Sequence, residues 1–199
     1  MKTAHSIWFG LLALGSPALR MKSAMPDSKI FTPGAEVRVV DEILESKEGG
    51  FGNQPLTPIL VAVRSKTDFL AAGEIQKLIA YVDALKKIDG VDRVESPFAS
   101  GELSEPEKAP GLLADPSQLS SEERDFLKDT LRGDLALVYV YGEAPWRSNE
   151  AGDLVGAIRA VSAADLTVKV GGPTAENFDG RKALIDHLPK VFWLIVATN

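Results

Sequence analysis

The sequence predicts an α+β domain built from two strand-helix-strand units, and three observations support that class. Two segments, 59–98 and 134–170, each place an apolar strand, an amphipathic helix and a second strand in that order. A stretch rich in Ser, Glu and Pro separates them. The chain has 199 residues, of which 45% are apolar and 25% charged, so it can bury one core of ordinary size.

The first unit begins with Ile59 to Val63, a continuous β-branched apolar run that is typical of a buried strand. Asp68 to Ile88 is predicted to be an amphipathic helix ended by Asp89-Gly90. Val91 to Phe98 is predicted to be a second, weaker strand, with Pro97 marking its end. The apolar face of the helix comprises Ile75, Leu78, Ile79, Val82, Leu85 and Ile88.

The second unit begins with Asp134 to Tyr141, the clearest strand pattern in the chain. Ser148 is predicted to cap a helix whose apolar residues recur at helical spacing, and Leu166 to Val170 alternates as a strand. Two such units make a four-stranded sheet with both helices on one face. The predicted architecture is therefore the ferredoxin-like, split βαβ arrangement, which hosts many unrelated functions.

The segment between the units, 99–133, is predicted to be an insertion in a domain that spans 58–179. Ser120 and Glu123 have the spacing of a capping box, which predicts one helix within the insertion. The acids of this stretch match no calcium-binding loop, so we interpret them as a solvated face.

Residues 25–57 are predicted to form a short helix and a joint rich in Gly and Pro. Val37, Val40, Ile43 and Leu44 have helical spacing. The glycines around Phe51 suggest a phosphate-binding loop, but no strand precedes them and no Lys-Ser/Thr pair follows them.

Both ends of the chain carry short apolar runs whose interpretation stays open. For residues 1–24, with Ile7 to Leu14 as the apolar part, the alternatives are a secretory signal peptide, a truncated transmembrane helix, or a buried element of the domain. Residues 180–199, after a polar turn, lead into the apolar run Val191 to Ala197. That run is shorter than the roughly 20 residues that cross a bilayer, so it is either the start of a truncated transmembrane helix or a docked terminal helix.

Composition excludes several classes of site. The chain has no cysteine and only two histidines, His5 and His187, far apart in sequence, so a Cys- or His-based metal centre or a catalytic triad is not expected. The net charge of −6 and scattered basic residues argue against nucleic acid as a partner. The sequence predicts no catalytic residue and no cofactor, and we do not expect an enzyme.

A set of motifs in a fixed order resembles the MMPL family of the RND superfamily of bacterial membrane transporters. The motifs are Pro17-Ala18-Leu19-Arg20-Met21, Pro26-Asp27, Gly50-Phe51-Gly52-Asn53-Gln54-Pro55-Leu56, Val91 after a helix-ending glycine, Val170-Gly171-Gly172-Pro173-Thr174-Ala175 with Asp179, and Leu188-Pro189. The resemblance spans nearly the whole chain. It is to the large extracytoplasmic loop between two transmembrane helices.

The resemblance implies a porter subdomain of a proton-driven exporter of lipids or other hydrophobic compounds, on the extracytoplasmic side of the cell membrane. Its implied partners are the remainder of its own transporter chain, hydrophobic cargo and the membrane at both ends, and a homo-oligomer stays open. Proton-relay residues would lie in helices outside this chain.

Candidates for cargo contact come from the loop aromatics Phe51, Phe98 and Trp146. The alternative function is a secreted, soluble ferredoxin-like binding protein with a cleaved signal peptide. A ferredoxin-like enzyme or small-molecule regulatory domain is the third hypothesis.

Overall fold

The computed structural model describes residues 28–45 and 57–198. Within them, the helices are α1 (Glu36–Glu45), α2 (Glu74–Leu85), α3 (Ala109–Ala114), α4 (Ser121–Thr130), α5 (Asn149–Ala160) and α6 (Pro173–Thr198). The strands are β1 (Ile59–Arg64), β2 (Val91–Glu95), β3 (Leu131–Arg132), β4 (Leu135–Gly142) and β5 (Thr167–Gly171). The predicted α+β class is confirmed.

The strands form one antiparallel sheet in the order β2-β4-β1-β5, with the short β3 paired to β4. The two strand-helix-strand units are interleaved, because β4 of the second unit lies between the two strands of the first, and β1 lies between the two strands of the second. The central register pairs Val61 with Val138 on one side and with Val170 on the other. Strands from distant parts of the sequence therefore meet in the middle of the sheet.

One face of the sheet, here called the inner face, packs under α2 and α5 and forms the core. Alternate residues of β1 and β4 point into it, because successive side chains of a strand lie on opposite faces. The fully buried members from these strands are Ile59, Val61, Val63, Ala136, Val138 and Val140. The buried residues of α2 and Leu154, Val155 and Ile158 of α5 belong to the same cluster.

Helix α2 is shorter than the sequence prediction, which began the helix at Asp68. The Asp68 carboxylate accepts a hydrogen bond from the Leu70 backbone N–H at 2.8 Å, which holds the chain in a turn. Gly73 then has a φ of 86°, a left-handed conformation that a helix cannot include. The helix begins at Glu74 as a result, and residues 68–73 form a loop.

The insertion contains more structure than predicted. The capping box is confirmed: Ser120 Oγ accepts from Glu123 N at 3.2 Å, and the Glu123 carboxylate accepts from Ser120 N at 2.9 Å. The additional helix α3 and the strand β3 were not predicted. Arg132 pairs with Leu135 across the tight turn at Gly133-Asp134, so β3 and β4 form a hairpin and the sheet has five strands instead of four.

The polar turn predicted between Gly172 and the terminal apolar run is wrong, because α6 runs unbroken from Pro173 to Thr198. Proline suits the first position of a helix, where its missing N–H leaves no intrahelical bond unmade. The turn that does exist lies one residue earlier, at Gly172, with a φ of 88°. A Cβ there would lie 3.2 Å from the Pro58 carbonyl oxygen, so a side chain would crowd that backbone in addition to straining the conformation.

The start of α6 is fixed against α5. Arg159 donates to both carboxylate oxygens of Asp179, at 2.6 and 2.8 Å, and its Nη2 also donates to the Val170 carbonyl at 3.1 Å. A Cβ added to Gly152 would lie 2.7 Å from Cδ2 of Phe178, which shows how closely the two helices approach. The second unit and the first half of α6 are therefore one packed body.

The short helix predicted before the joint is confirmed as α1. Val37 and Val40 on this helix are 58% and 53% exposed. The three interpretations of the N-terminal segment fall on residues 1–27, and most of the Gly- and Pro-rich joint, including Phe51, falls on residues 46–56; both lie outside the described residues.

Candidate functional site

The second face of the sheet, here called the outer face, is the candidate site. None of its side chains is fully buried. Strand register brings residues of four strands together on it: Leu60 lies beside Tyr139, Ala62 lies between Leu137 and Lys169, and Tyr139 lies beside Glu95. The outer face comprises Leu60, Ala62, Arg64, Arg93, Glu95, Leu135, Leu137, Tyr139, Tyr141, Thr167 and Lys169.

The centre of the outer face is apolar and aromatic. Leu60 and Ala62 of β1 and Leu137 and Tyr139 of β4 occupy the two middle strands. Charged residues lie toward the edges, on β2, at the end of β1 and on β5. An amphipathic surface with an aromatic centre and a charged rim is the pattern of contact surfaces for proteins or amphiphilic molecules.

One corner of the face is a network around Tyr141. The Arg93 guanidinium lies 3.8 Å from the centroid of the Tyr141 ring, and Arg93 Nε donates to Glu95 at 2.9 Å. The Tyr141 hydroxyl donates to the other Glu95 carboxylate oxygen at 3.2 Å. The stacked guanidinium and the hydrogen bond from the hydroxyl to Glu95 fix the orientation of the ring.

The pKa shifts at this corner follow from the same contacts. The hydrogen bond to Glu95 raises the pKa of Arg93, which stays positively charged. Partial burial, and then the negative charge of Glu95, raise the pKa of Tyr141, so the hydroxyl remains protonated and able to donate. The corner is thus a protonated aromatic ring held beside the Arg93 and Glu95 ion pair.

The structure describes two of the three aromatic residues predicted to contact cargo, Phe98 and Trp146. Phe98 is 1% exposed and packs in the core, so it lies away from the outer face. Trp146 is half-buried in the loop after β4, where the Arg147 guanidinium lies 4.3 Å from its ring centroid. Phe51 lies outside the described residues.

Sequence reasoning found part of the face. The alternation in β4 indicates that Leu137, Tyr139 and Tyr141 share one side of a strand, and the structure agrees. Arg93, Glu95 and Leu60 were missed, because only strand order and register place them beside those tyrosines. A weak signal was available in the alternation of Val91, Arg93 and Glu95 in β2.

The described residues offer no metal centre, since no group of three His, Cys, Asp or Glu side chains among them could hold an ion. In the same part of the chain, no helix is both long and apolar enough to cross a bilayer. No protein-family model matches the chain, and no curated protein matches it.

Proposed function

We propose that the chain is the extracytoplasmic, porter-type domain of an MMPL-type exporter of the RND superfamily, which uses protons to drive export of lipids or other hydrophobic compounds. The domain acts only together with the remainder of its transporter chain in the cell membrane. We also propose that the fold is ferredoxin-like. The interleaved strand order and the antiparallel pairing of every neighbour support it.

The observation that carries the proposal is the path of α6. The helix starts packed in the domain, with Ala175 only 1% exposed. Farther along, Leu184, Ile185 and Leu188 are 56%, 54% and 62% exposed, and the sequence then continues with the apolar run 191–197. A helix that leaves a folded domain while exposing successive apolar residues favours a second, apolar environment around its outer half.

The outer face supplies the contact surface in this proposal. Its leucine and tyrosine centre suits hydrophobic cargo or a neighbouring domain of the same transporter. The charged residues at the rim, including the Arg93 and Glu95 pair, would orient that partner. They would contribute more to the specificity of binding than to its affinity.

The first test is to sequence the genomic DNA on both sides of the region that encodes the chain. The proposal expects apolar stretches of about 20 residues, in frame, that extend both terminal runs. Stop codons directly after residue 199, with a start codon and cleavable leader at the beginning, would overturn it. That result would favour the secreted binding protein instead.

The second test locates contact with cargo. The chain has no native cysteine, so one introduced cysteine can carry a single environment-sensitive fluorophore. Leu137→Cys places the probe on the outer face, and Asp125→Cys places it on the exposed surface of α4 as a matched control. Added phospholipid should shift the emission of the Leu137 probe to the blue and leave the control unchanged. Equal shifts at both positions would remove the outer face as the contact surface.

A further inference from the structure

One end of the outer face carries a charge opposite in sign to that of the whole chain, whose net charge is −6. Arg64 and Lys169 lie on the face at this end. Arg132 pairs with Leu135 in the β3–β4 hairpin, so it continues the same face by one more strand. We call the end of the outer face that these three basic side chains occupy the basic end.

The positive charge of the basic end is mostly uncompensated. Within the part of the chain that the structure describes, Arg132 and Lys169 are exposed and have no ion-pair partner. Arg64 lies 3.3 Å from Asp134, but the two side chains are 62% and 50% exposed, and an ion pair this exposed is weak. A negatively charged group that approaches the basic end is therefore attracted to it.

The other charges around the face are compensated. Lys66 and Asp165, next to the start of β5, lie 3.4 Å apart. At the opposite end of the face, Arg93 lies between two acids, 3.1 Å from Asp92 and 2.9 Å from Glu95. That end has no surplus of positive charge, so the face is electrically asymmetric along its length.

The basic end borders directly on the apolar centre of the face. Leu135 lies between Arg132 and Arg64 on the neighbouring strands. Strands are spaced by about 4.8 Å, so these two arginine backbones are about 10 Å apart, within reach of one group above Leu135. Leu137 is the next outward residue of the same strand, and Lys169 lies two strands from it.

A ligand that matches both properties has a negatively charged head and a hydrocarbon chain. The arginine fork suits a carboxylate, which can accept two of its hydrogen bonds at once. The apolar centre is two strands wide, and from Leu135 to Tyr141 it is about 20 Å long at about 3.3 Å per residue, which suits a single extended chain.

We propose that the outer face binds long-chain carboxylates, with the carboxylate at the basic end and the hydrocarbon directed toward Tyr141. This inference rests on the proposed function, because it specifies the head group of the cargo that the outer face contacts. Arg132 and Lys169 are the residues that determine the preference for a negative charge.

The experiment titrates the full 199-residue chain, labelled with ¹⁵N, with dodecanoate and, separately, with dodecylammonium at neutral pH. Both probes are kept below the concentration at which they form micelles, and they have the same chain length and opposite charge. Dodecanoate should shift the Nε–H signals of Arg64 and Arg132 more than that of Arg93. It should bind at least about fivefold more tightly than dodecylammonium at low salt, and the preference should shrink at high salt.

Matched variants assign the preference to two side chains. The double variant Arg132→Gln and Lys169→Gln changes exposed residues, so it should keep the fold, and it should bind dodecanoate at least about fivefold more weakly than the parent chain does. The control is Lys87→Gln and Lys182→Gln, which removes the same charge from exposed positions after α2 and on α6. The control should bind both probes as the parent chain does.

The outcomes separate this inference from the transporter assignment, which the genomic sequence tests. Equal affinity of the parent chain for the two probes, or a preference that survives in the Arg132 and Lys169 variant, would overturn the inference and leave the outer face as a contact surface. Larger shifts at Arg93 than at Arg64 would overturn the orientation. Failure of both probes to bind would overturn the inference and would also count against the outer face as the surface that contacts cargo.

Discussion

The two faces of the sheet are made by the same strands and differ in almost every physical respect. On the inner face, Val61 and Val138 are 0% exposed and surrounded by the core. On the outer face, one residue away in each strand, Ala62 and Leu137 are half-buried and bordered by charges. Stability should therefore depend on the inner residues, whereas the outer residues remain available for contact with a partner.

The largest loss of stability is expected for a substitution on the inner face, at Val138. Val138→Ala should lower the free energy of unfolding by about 2 kcal/mol, because the lost methyl groups leave a void in a packed core. Leu137→Ala removes more carbon atoms but should cost under about 1 kcal/mol, since its side chain is half-buried. Urea denaturation of both variants measures the two values. A larger cost for Leu137 would mean that the outer face is also a packed interface in the isolated chain.

Helix α5 allows a similar comparison between its two glycines. Gly152→Ala should destabilise by about 1 to 2 kcal/mol, because the new Cβ would lie 2.7 Å from the Phe178 ring and the helices must separate. Gly156 has nothing within 4 Å of an added Cβ, so Gly156→Ala should stabilise by about 0.5 to 1 kcal/mol through helix propensity alone. Thermal unfolding of both variants checks the opposite signs. Two variants that change stability in the same direction would contradict the observed packing of α5 on α6.

The ion pair between Arg159 of α5 and Asp179 of α6 joins these two helices. Its contribution to stability should depend on pH. The hydrogen bonds from Arg159 lower the pKa of Asp179 in the folded chain. The ion pair therefore contributes fully to stability above the pKa of Asp179 in the unfolded chain, which is about 4. This contribution is lost as the pH falls through the lower pKa of Asp179 in the folded chain. Asp179→Asn should cost about 0.5 to 1 kcal/mol at pH 7, since the pair is partly exposed. The cost should disappear near pH 2, and a pH-independent difference would argue against the ion pair as its cause.

The smallest effect is expected at the corner of the outer face. Tyr141→Phe removes the hydroxyl that donates to Glu95 and should change stability by less than about 0.5 kcal/mol, because both groups reach solvent.

Ultraviolet titration should place the ionisation of Tyr141 above the ordinary tyrosine pKa, in keeping with burial and the adjacent carboxylate. In an Arg93→Gln variant that pKa should rise further, because a neighbouring positive charge is removed. A lower pKa in that variant would show that Arg93 does not act on the ring electrostatically.

Much of the fold could be predicted because its signals are local. The alternation in β4 and the caps at Ser120 and Ser148 each depend on a few neighbouring residues, and all three predictions agree with the structure. The start of α2 could not be placed, since helical periodicity extends to Asp68 and does not reveal the turn that Asp68 and Gly73 impose.

The predictions that failed depend on competition between local signals and packing. The polar residues between Gly172 and the terminal apolar run suggest a turn, yet Pro173 is a good first residue for a helix, and the helix runs through them. Contacts from Arg159 to Asp179 and of Gly152 with Phe178 then hold that helix in place, and none of them is visible as a local pattern. The contacts among Arg93, Glu95 and Tyr141 could not be predicted for the same reason, since they depend on the register of two strands about 50 residues apart in sequence.

Helix α6 is long and continuous, so a change in its tilt is magnified at its far end. Its 26 residues span about 39 Å at 1.5 Å per residue, and its near end turns on Gly172 beside the first strand of the sheet. A tilt of about 10° at that pivot would move the far end by about 7 Å over this length. The Arg159 to Asp179 pair lies within the first two turns of α6, so it helps to set the direction in which the helix leaves the sheet.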